Sequence, residues 1–135
     1  MVDKRAVLST LLTIAAVVAL VKVSPLMLHT DTPLAVVSSW SMEPTLHVGD
    51  LIVVANWGDV KVGDIIVYVD GRGSLIVHRV VAIRHSAAGI LYVTKGDANP
   101  LPDAVPVPPS RVKGKVILVV PYIGVVKLAF EQLIG

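Results

Sequence analysis

The stretch Ile65-Ile66-Val67-Tyr68-Val69-Asp70-Gly71-Arg72-Gly73-Ser74-Leu75-Ile76-Val77-His78-Arg79-Val80 decides the fold class. Two runs rich in β-branched residues flank an Asp-Gly-Arg-Gly segment, and the order strand, glycine turn, strand predicts an antiparallel hairpin. The same grammar extends outward from Leu34. Short apolar runs are divided by Gly, Asp and Pro, and strands are predicted at residues 51–55, 65–69, 75–84, 90–94 and 112–120, with hairpin connections at 70–73 and 85–89. Val48-Gly49-Asp50-Leu51-Ile52-Val53 and Val62-Gly63-Asp64-Ile65-Ile66-Val67 nearly repeat each other, as expected where a glycine turn feeds a buried strand. Two copies are too few for a solenoid.

Upstream of this β region the character changes. Residues 6–21 are apolar or small throughout, which as a helix spans only about 24 Å of a hydrocarbon core near 30 Å. Lys22 can lay its stem along the helix and reach the interface with its ammonium, so residues 23–28 can add length before Pro25 disturbs the helix. Lys4 and Arg5 precede the run and place the N-terminus in the cytoplasm under the positive-inside rule. A charged start before an apolar run also marks a cleaved signal peptide. The run here is longer than is usual for one, and no small-x-small site follows it promptly, which favours an anchor.

Composition agrees with a membrane segment. Among 135 residues, 54% are hydrophobic and 16% charged, and the mean hydropathy is +0.76, outside the balance of soluble domains. A formal net charge of +2, with Lys113 and Lys115 as the nearest thing to a basic cluster, excludes a nucleic-acid footprint. The absence of Cys removes disulfides, thiol nucleophiles and thiolate metal sites. Downstream, Pro100, Pro102, Pro106, Pro108 and Pro109 predict a loop without regular structure over residues 99–110. After Pro121, the spacing of Ile123, Val126, Phe130 and Leu133 predicts a short core or interfacial helix. The expected domains are residues 1–30, cytoplasmic N-terminus and anchor; 31–120, a β-rich domain; and 121–135, an apolar C-terminal helix.

Three places carry candidate chemistry. Ser41, before Met42-Glu43-Pro44 and after a short apolar strand, can be presented on a rigid turn, as an attacking oxygen must be, though a plain Ser/Thr/Pro loop reads the same way. His78 falls on the face of its strand shared with Ile76, Val80 and Ala82, opposite Val77, Arg79 and Val81. An imidazole among aliphatic neighbours is either a satisfied core residue or a base. Asp97 and Asp103 put two carboxylates in one loop, where one can orient an imidazole or both can serve turn chemistry. Asp50, Asp59 and Asp64 read as structural turn residues, and His29, His47 and His85 as surface. A metal site from His78, Asp97 and Asp103 lacks the close His pair that would support it.

In order, the Ser39-Trp40-Ser41-Met42-Glu43-Pro44-Thr45 stretch, Gly49-Asp50, His78-Arg79-Val80 and Lys95-Gly96-Asp97 with Asp103 resemble the type I signal peptidases, in the form found in archaea and the endoplasmic reticulum. The resemblance covers nearly the whole chain. It implies a mostly β fold, with a signal-peptidase-like antiparallel β catalytic core, an N-terminal transmembrane helix and a short C-terminal helix. It implies Ser41 as nucleophile, His78 as general base where bacterial relatives carry lysine, Asp103 as third catalytic residue and Asp97 as a supporting acid. The Ser39 hydroxyl and the Ser41 N–H would be the oxyanion donors. Which carboxylate contacts His78 is left open by the residues alone.

By the same resemblance the partners are preprotein signal peptides and the lipid bilayer, with no cofactor and no metal, at a cell membrane crossed once with the catalytic domain outside. Additional membrane subunits are left open. The chain departs from the family at Trp40, where glycine is common and a positive φ would strain the turn, and at Ala98, Pro100 and Pro102, which replace more polar residues. Two other readings remain: a Ser-Lys protease with Lys95 or Lys61 as base, and a non-catalytic, membrane-tethered β module that binds extended peptides.

Overall fold

A computed structural model describes residues 1–121 and 132–134. Helix α1 (Lys4–Leu28) is 25 residues long, about 38 Å at 1.5 Å per residue and enough to cross a bilayer. Asp3 caps its start, the carboxylate accepting from Arg5 N–H. None of its residues is buried, as expected of a helix whose solvent is lipid. Contrary to the expected disturbance, the helix runs through Pro25. Proline leaves the Val21 carbonyl without its N–H partner, and the Ser24 hydroxyl donates to that carbonyl at 2.8 Å instead. The helix ends at His29, which takes a left-handed conformation (φ 52°) and donates its N–H to the Pro25 carbonyl.

The end of α1 is fastened to the body. Asn56 N–H donates to the Leu28 carbonyl (2.8 Å), Trp57 Nε1 to the Met27 carbonyl (3.0 Å), and Lys113 pairs with Asp31 (2.9 Å). Among the described residues six strands follow: β1 (Leu34–Val36), β2 (Leu51–Ala55), β3 (Ile65–Val69), β4 (Leu75–Ser86), β5 (Gly89–Lys95) and β6 (Val112–Val120). They form one sheet in the order β1-β2-β6-β3-β4-β5, antiparallel at every pairing.

Strand β3 reads as an unbroken apolar run because it is buried on both faces. Val67 joins one core with Val37, Met42, Leu46, Ile52 and Val54. Its neighbours Ile66 and Tyr68 join the other, with Val80, Tyr92 and Val107.

The predicted strands stand where expected, with three differences. Strand β4 runs on to Ser86, so its hairpin with β5 closes over Ala87 and Ala88 rather than over residues 85–89. The period of two along β4 is interrupted between Val80 and Ala82, which pair with Thr94 and Val93. Val81 is thus the extra residue of a bulge, and the face alternation expected through Ala82 stops at Val80. Third, the loop at 99–110 is not wholly irregular: Val107 exchanges both backbone hydrogen bonds with Tyr92 at 2.8 Å. Pro106 and Pro108 flank Val107 but leave its own N–H free to donate. A 3-10 turn follows over Pro109–Arg111.

The two near-repeats are the same turn used twice. Asp50 accepts from His47 N–H at 2.9 Å and Asp64 from Lys61 N–H at 2.8 Å, with Gly49 and Gly63 at φ 95° and 98°. Each glycine N–H donates to a backbone carbonyl of a neighbouring segment, Gly49 to Val37 and Gly63 to Val80. Of the C-terminal helix expected over 121–135, Gln132, Leu133 and Ile134 are helical; residues 122–131 and 135 lie outside the described residues.

Candidate active site

Ser41 is held from two sides. Its neighbour Met42 is almost wholly buried and Leu46 completely so, and the turn between them is closed by Thr45 N–H and Leu46 N–H donating to the Met42 carbonyl (2.9 Å each). The Ser-Met spelling thus has a mechanical sense: methionine plugs the core and serine rides at its edge. From the other side, Ala98 N–H donates to the Ser41 carbonyl at 2.9 Å. A Cβ on Gly96 would lie 2.6 Å from that same carbonyl oxygen, so only glycine allows the acidic loop to come this close. Trp40 is exposed and does not have a positive φ, so tryptophan causes no backbone strain there.

His78 comes from β4 on the face shared with Ile76 and Val80, opposite Ile66 of β3. Its Nε2 lies 3.1 Å from Ser41 Oγ, and its Nδ1 lies 2.5 Å from Asp103 Oδ2. A carboxylate oxygen can only accept, so Nδ1 carries the proton and Nε2 is left to accept from the Ser41 hydroxyl. Asp103 Oδ2 also accepts from the Thr94 hydroxyl at 2.7 Å and the Tyr68 hydroxyl at 3.2 Å. Burial, opposed by the Thr94 hydrogen bond and reinforced by the Asp103 charge, pushes the Tyr68 hydroxyl up to about 12. Tyr68 therefore stays protonated, a donor toward Asp103.

Asp97 does not reach His78. Arg79 grips it with two parallel hydrogen bonds, Nε to Oδ1 at 2.9 Å and Nη2 to Oδ2 at 2.8 Å, and Thr45 Oγ1 donates to Oδ2 at 2.6 Å. The Arg79 guanidinium, then the Thr45 hydroxyl, hold the Asp97 carboxyl below its ordinary range against the opposing effect of burial, and Asp97 in turn raises Arg79. Arg79 also donates to the Gly63 carbonyl, tying the second glycine turn to the acidic loop. With Asp97 turned toward Arg79, the His78, Asp97 and Asp103 set does not converge on one point.

Ser39 Oγ lies 3.0 Å from Ser41 Oγ. Beside these groups runs a cleft of about 370 Å³ lined by Leu34–Val37 of β1 and its extension, Ser38, Ser39, Ser41, Met42, Val67 and Leu75–His78. Among the described residues strand β1 pairs only with β2, and β5 begins its pairing with β4 at Arg79. Two backbone edges therefore border the cleft. His29, His47 and His85 are exposed. Lys95 Nζ donates to the Gly96 carbonyl.

Tyr68, Thr94, Thr45 and the function of Arg79 were not legible in the sequence. The one signal for Thr94 is its parity: two residues after Tyr92 on β5, a hydroxyl falls on a buried face.

Residues 5–84, more than half of the 135, match the family described as signal peptidase, peptidase S26. The chain belongs to this family. The matched stretch contains Ser39, Ser41 and His78 and ends before Asp97 and Asp103. The chain is 42% identical over 77 residues to the signal peptidase complex catalytic subunit SEC11C of Homo sapiens, covering 54% of this chain and 40% of that protein. It is 43% identical over 77 residues to the signal peptidase complex catalytic subunit SEC11 of Candida albicans, covering 56% of this chain and 46% of that protein. The match thus spans less than half the length of either relative.

Proposed function

We propose that this chain is a membrane-bound signal peptidase, a serine endopeptidase that cleaves N-terminal signal peptides from exported preproteins. One observation carries the reading: Ser41 Oγ, His78 and Asp103 stand in a continuous hydrogen-bonded line at the end of a cleft lined mostly by aliphatic residues. Family membership and the subunit names of the relatives support it.

In this reading Ser41 is the nucleophile and His78 its general base. The Asp103 carboxylate holds the imidazole in the tautomer that leaves Nε2 free and stabilises the imidazolium that forms. Nε2 takes the Ser41 proton as Oγ attacks the scissile carbonyl. The Ser39 hydroxyl and Ser41 N–H donate to the oxyanion, where one donor is worth about 2.7–4 kcal/mol. The imidazolium returns its proton to the leaving amine, so the mature protein departs and an acyl-enzyme remains. His78 then activates water to release the signal peptide. Asp97 serves as the supporting acid, through Arg79 and Thr45, by fixing the loop that braces the Ser41 carbonyl.

The substrate lies extended between β1 and the start of β4 and pairs with the two edges, as peptides added to a sheet do. Small residues before the cut suit the aliphatic lining. The proposed division is residues 1–30 as cytoplasmic N-terminus and anchor, 31–120 as the protease domain outside a cell membrane crossed once, and 121–135 as an apolar C-terminal segment. Lys4 and Arg5 support that orientation. Against the Ser-Lys alternative, Lys95 is engaged with the Gly96 carbonyl while His78 touches Ser41.

The test is incubation of the purified chain in detergent with a preprotein, followed by N-terminal sequencing of the product. One cut after a small-x-small sequence, absent with Ser41→Ala, is expected. Equal cutting when those small residues are replaced by large ones contradicts the proposal.

A further inference from the structure

We propose that Thr94 is the positioning residue of the catalytic carboxylate, holding Asp103 in line with His78 by its hydroxyl and its backbone carbonyl together. The inference rests on the Ser-His-Asp reading above and adds to it a residue that does not touch the substrate.

Asp103 needs such a hold. It lies in a proline-rich connection between β5 and β6, and its carboxylate is partly exposed. Such a loop has no ladder of its own to fix a side chain within the few tenths of an ångström that a catalytic hydrogen bond requires. Thr94, by contrast, is wholly buried on β5 and paired with Val80, two residues beyond His78 on β4. The base and Thr94 therefore share one rigid frame.

Thr94 grips Asp103 twice: its carbonyl accepts the Asp103 N–H at 2.8 Å, and its hydroxyl donates to Oδ2 at 2.7 Å. The carboxylate oxygen that receives the Thr94 proton is also the one that receives His78 Nδ1–H. Its direction is set from two sides. The Tyr68 hydroxyl, at 3.2 Å from Oδ2 and 3.3 Å from Thr94 Oγ1, closes the arrangement as a weaker third partner.

A buried hydroxyl on a strand facing a hydrocarbon core is costly unless it has a partner. Valine would fill the same space in a core that already holds Val80 and Val107. Threonine here is accounted for by Asp103, and the packing alone does not call for it.

The experiment uses the full chain in detergent with Thr94→Val, which keeps the shape and loses the hydroxyl, Thr94→Ala as a second hydroxyl-free side chain, and Thr94→Ser as the rescue. Turnover and the downfield proton signal of His78 Nδ1–H, identified by its loss in His78→Ala, are both followed. Removing a charge-assisted hydrogen bond predicts a kcat about 10- to 100-fold lower for Val and Ala, with KM little changed, and most of the rate restored by Ser. The Nδ1 proton signal weakens in Val and Ala and returns in Ser.

Wild-type kcat in the hydroxyl-free variants overturns the proposal. So does a loss that merely tracks the folded fraction while the His78 signal stays unchanged. Should wild type and Ser41→Ala be equally inactive, the functional reading has failed, and the Nδ1 signal still decides the link between Thr94 and Asp103.

Discussion

Asp103 Oδ2 stands 2.5 Å from His78 Nδ1, while Asp97, six residues earlier in the same loop, is turned to the next residue of β4 and held by Arg79 through two hydrogen bonds. Adjacent residues of one strand point to opposite faces, so His78 and Arg79 draw the two carboxylates apart into separate tasks. Asp103→Asn is expected to lower kcat by about 10²- to 10⁴-fold with KM little changed, because an amide no longer fixes the imidazole tautomer. Steady-state kinetics on a preprotein measure this, and a fall confined to KM contradicts it.

Asp97→Asn acts on stability first. Asp97 is held below its ordinary pKa by Arg79 and Thr45, so the folded state binds fewer protons than the unfolded chain across that interval. Its contribution is fully present above the ordinary carboxylate value and is lost as pH falls through the lowered one. The difference in stability between wild type and Asp97→Asn is expected to be on the order of 2 kcal/mol near neutral pH, to stay constant down to mildly acid pH and to shrink below about pH 4. Denaturant unfolding at several pH values checks this. A difference that grows on acidification has the wrong sign for the arrangement described.

Gly96→Ala places a methyl 2.6 Å from the Ser41 carbonyl oxygen and 2.6 Å from Asn99 Nδ2. Asn99 can swing aside, but the Ser41 backbone cannot move without carrying the nucleophile with it. A loss of kcat larger than the loss of stability is expected, since about 1 Å of misplacement is worth about 100-fold in rate. Turnover compared with thermal unfolding separates the two effects; an active enzyme with an unchanged Tm contradicts the brace.

Ser39→Ala removes the hydroxyl 3.0 Å from Ser41 Oγ. If that hydroxyl serves the oxyanion, kcat falls by about 10²- to 10³-fold with little change in KM. Retention of full kcat assigns the oxyanion to other donors.

Much of the fold was legible because β-branched runs and glycine turns are local signals. The run Ile65–Val69 is a strand whichever side it buries, and the Val-Gly-Asp repeat announced two turns that share their hydrogen bonds down to the aspartate. Course-changing details were not legible, because they depend on neighbours far along the chain. The passage of α1 through Pro25 needs the Ser24 hydroxyl at the freed Val21 carbonyl. The Val81 bulge shows only once β4 and β5 are in register.

At the site, motifs single out Ser41, His78 and the acidic loop, yet composition and spacing leave both carboxylates as candidates for His78. The choice is made by Thr94 and Arg79, whose contacts with Asp103 and Asp97 span 9 and 18 residues. The C-terminal helix pattern at Ile123, Val126 and Phe130 falls outside the described residues.

The pairing of Ser41 with His78 is tested most directly by the rate of preprotein cleavage by the wild-type chain, Ser41→Ala and His78→Ala, purified in the same detergent and verified as folded. Both variants are expected to fall to background while still binding the preprotein, because the proton acceptor 3.1 Å from Ser41 Oγ is His78 Nε2. Substantial turnover by His78→Ala would contradict it and move the base to a lysine.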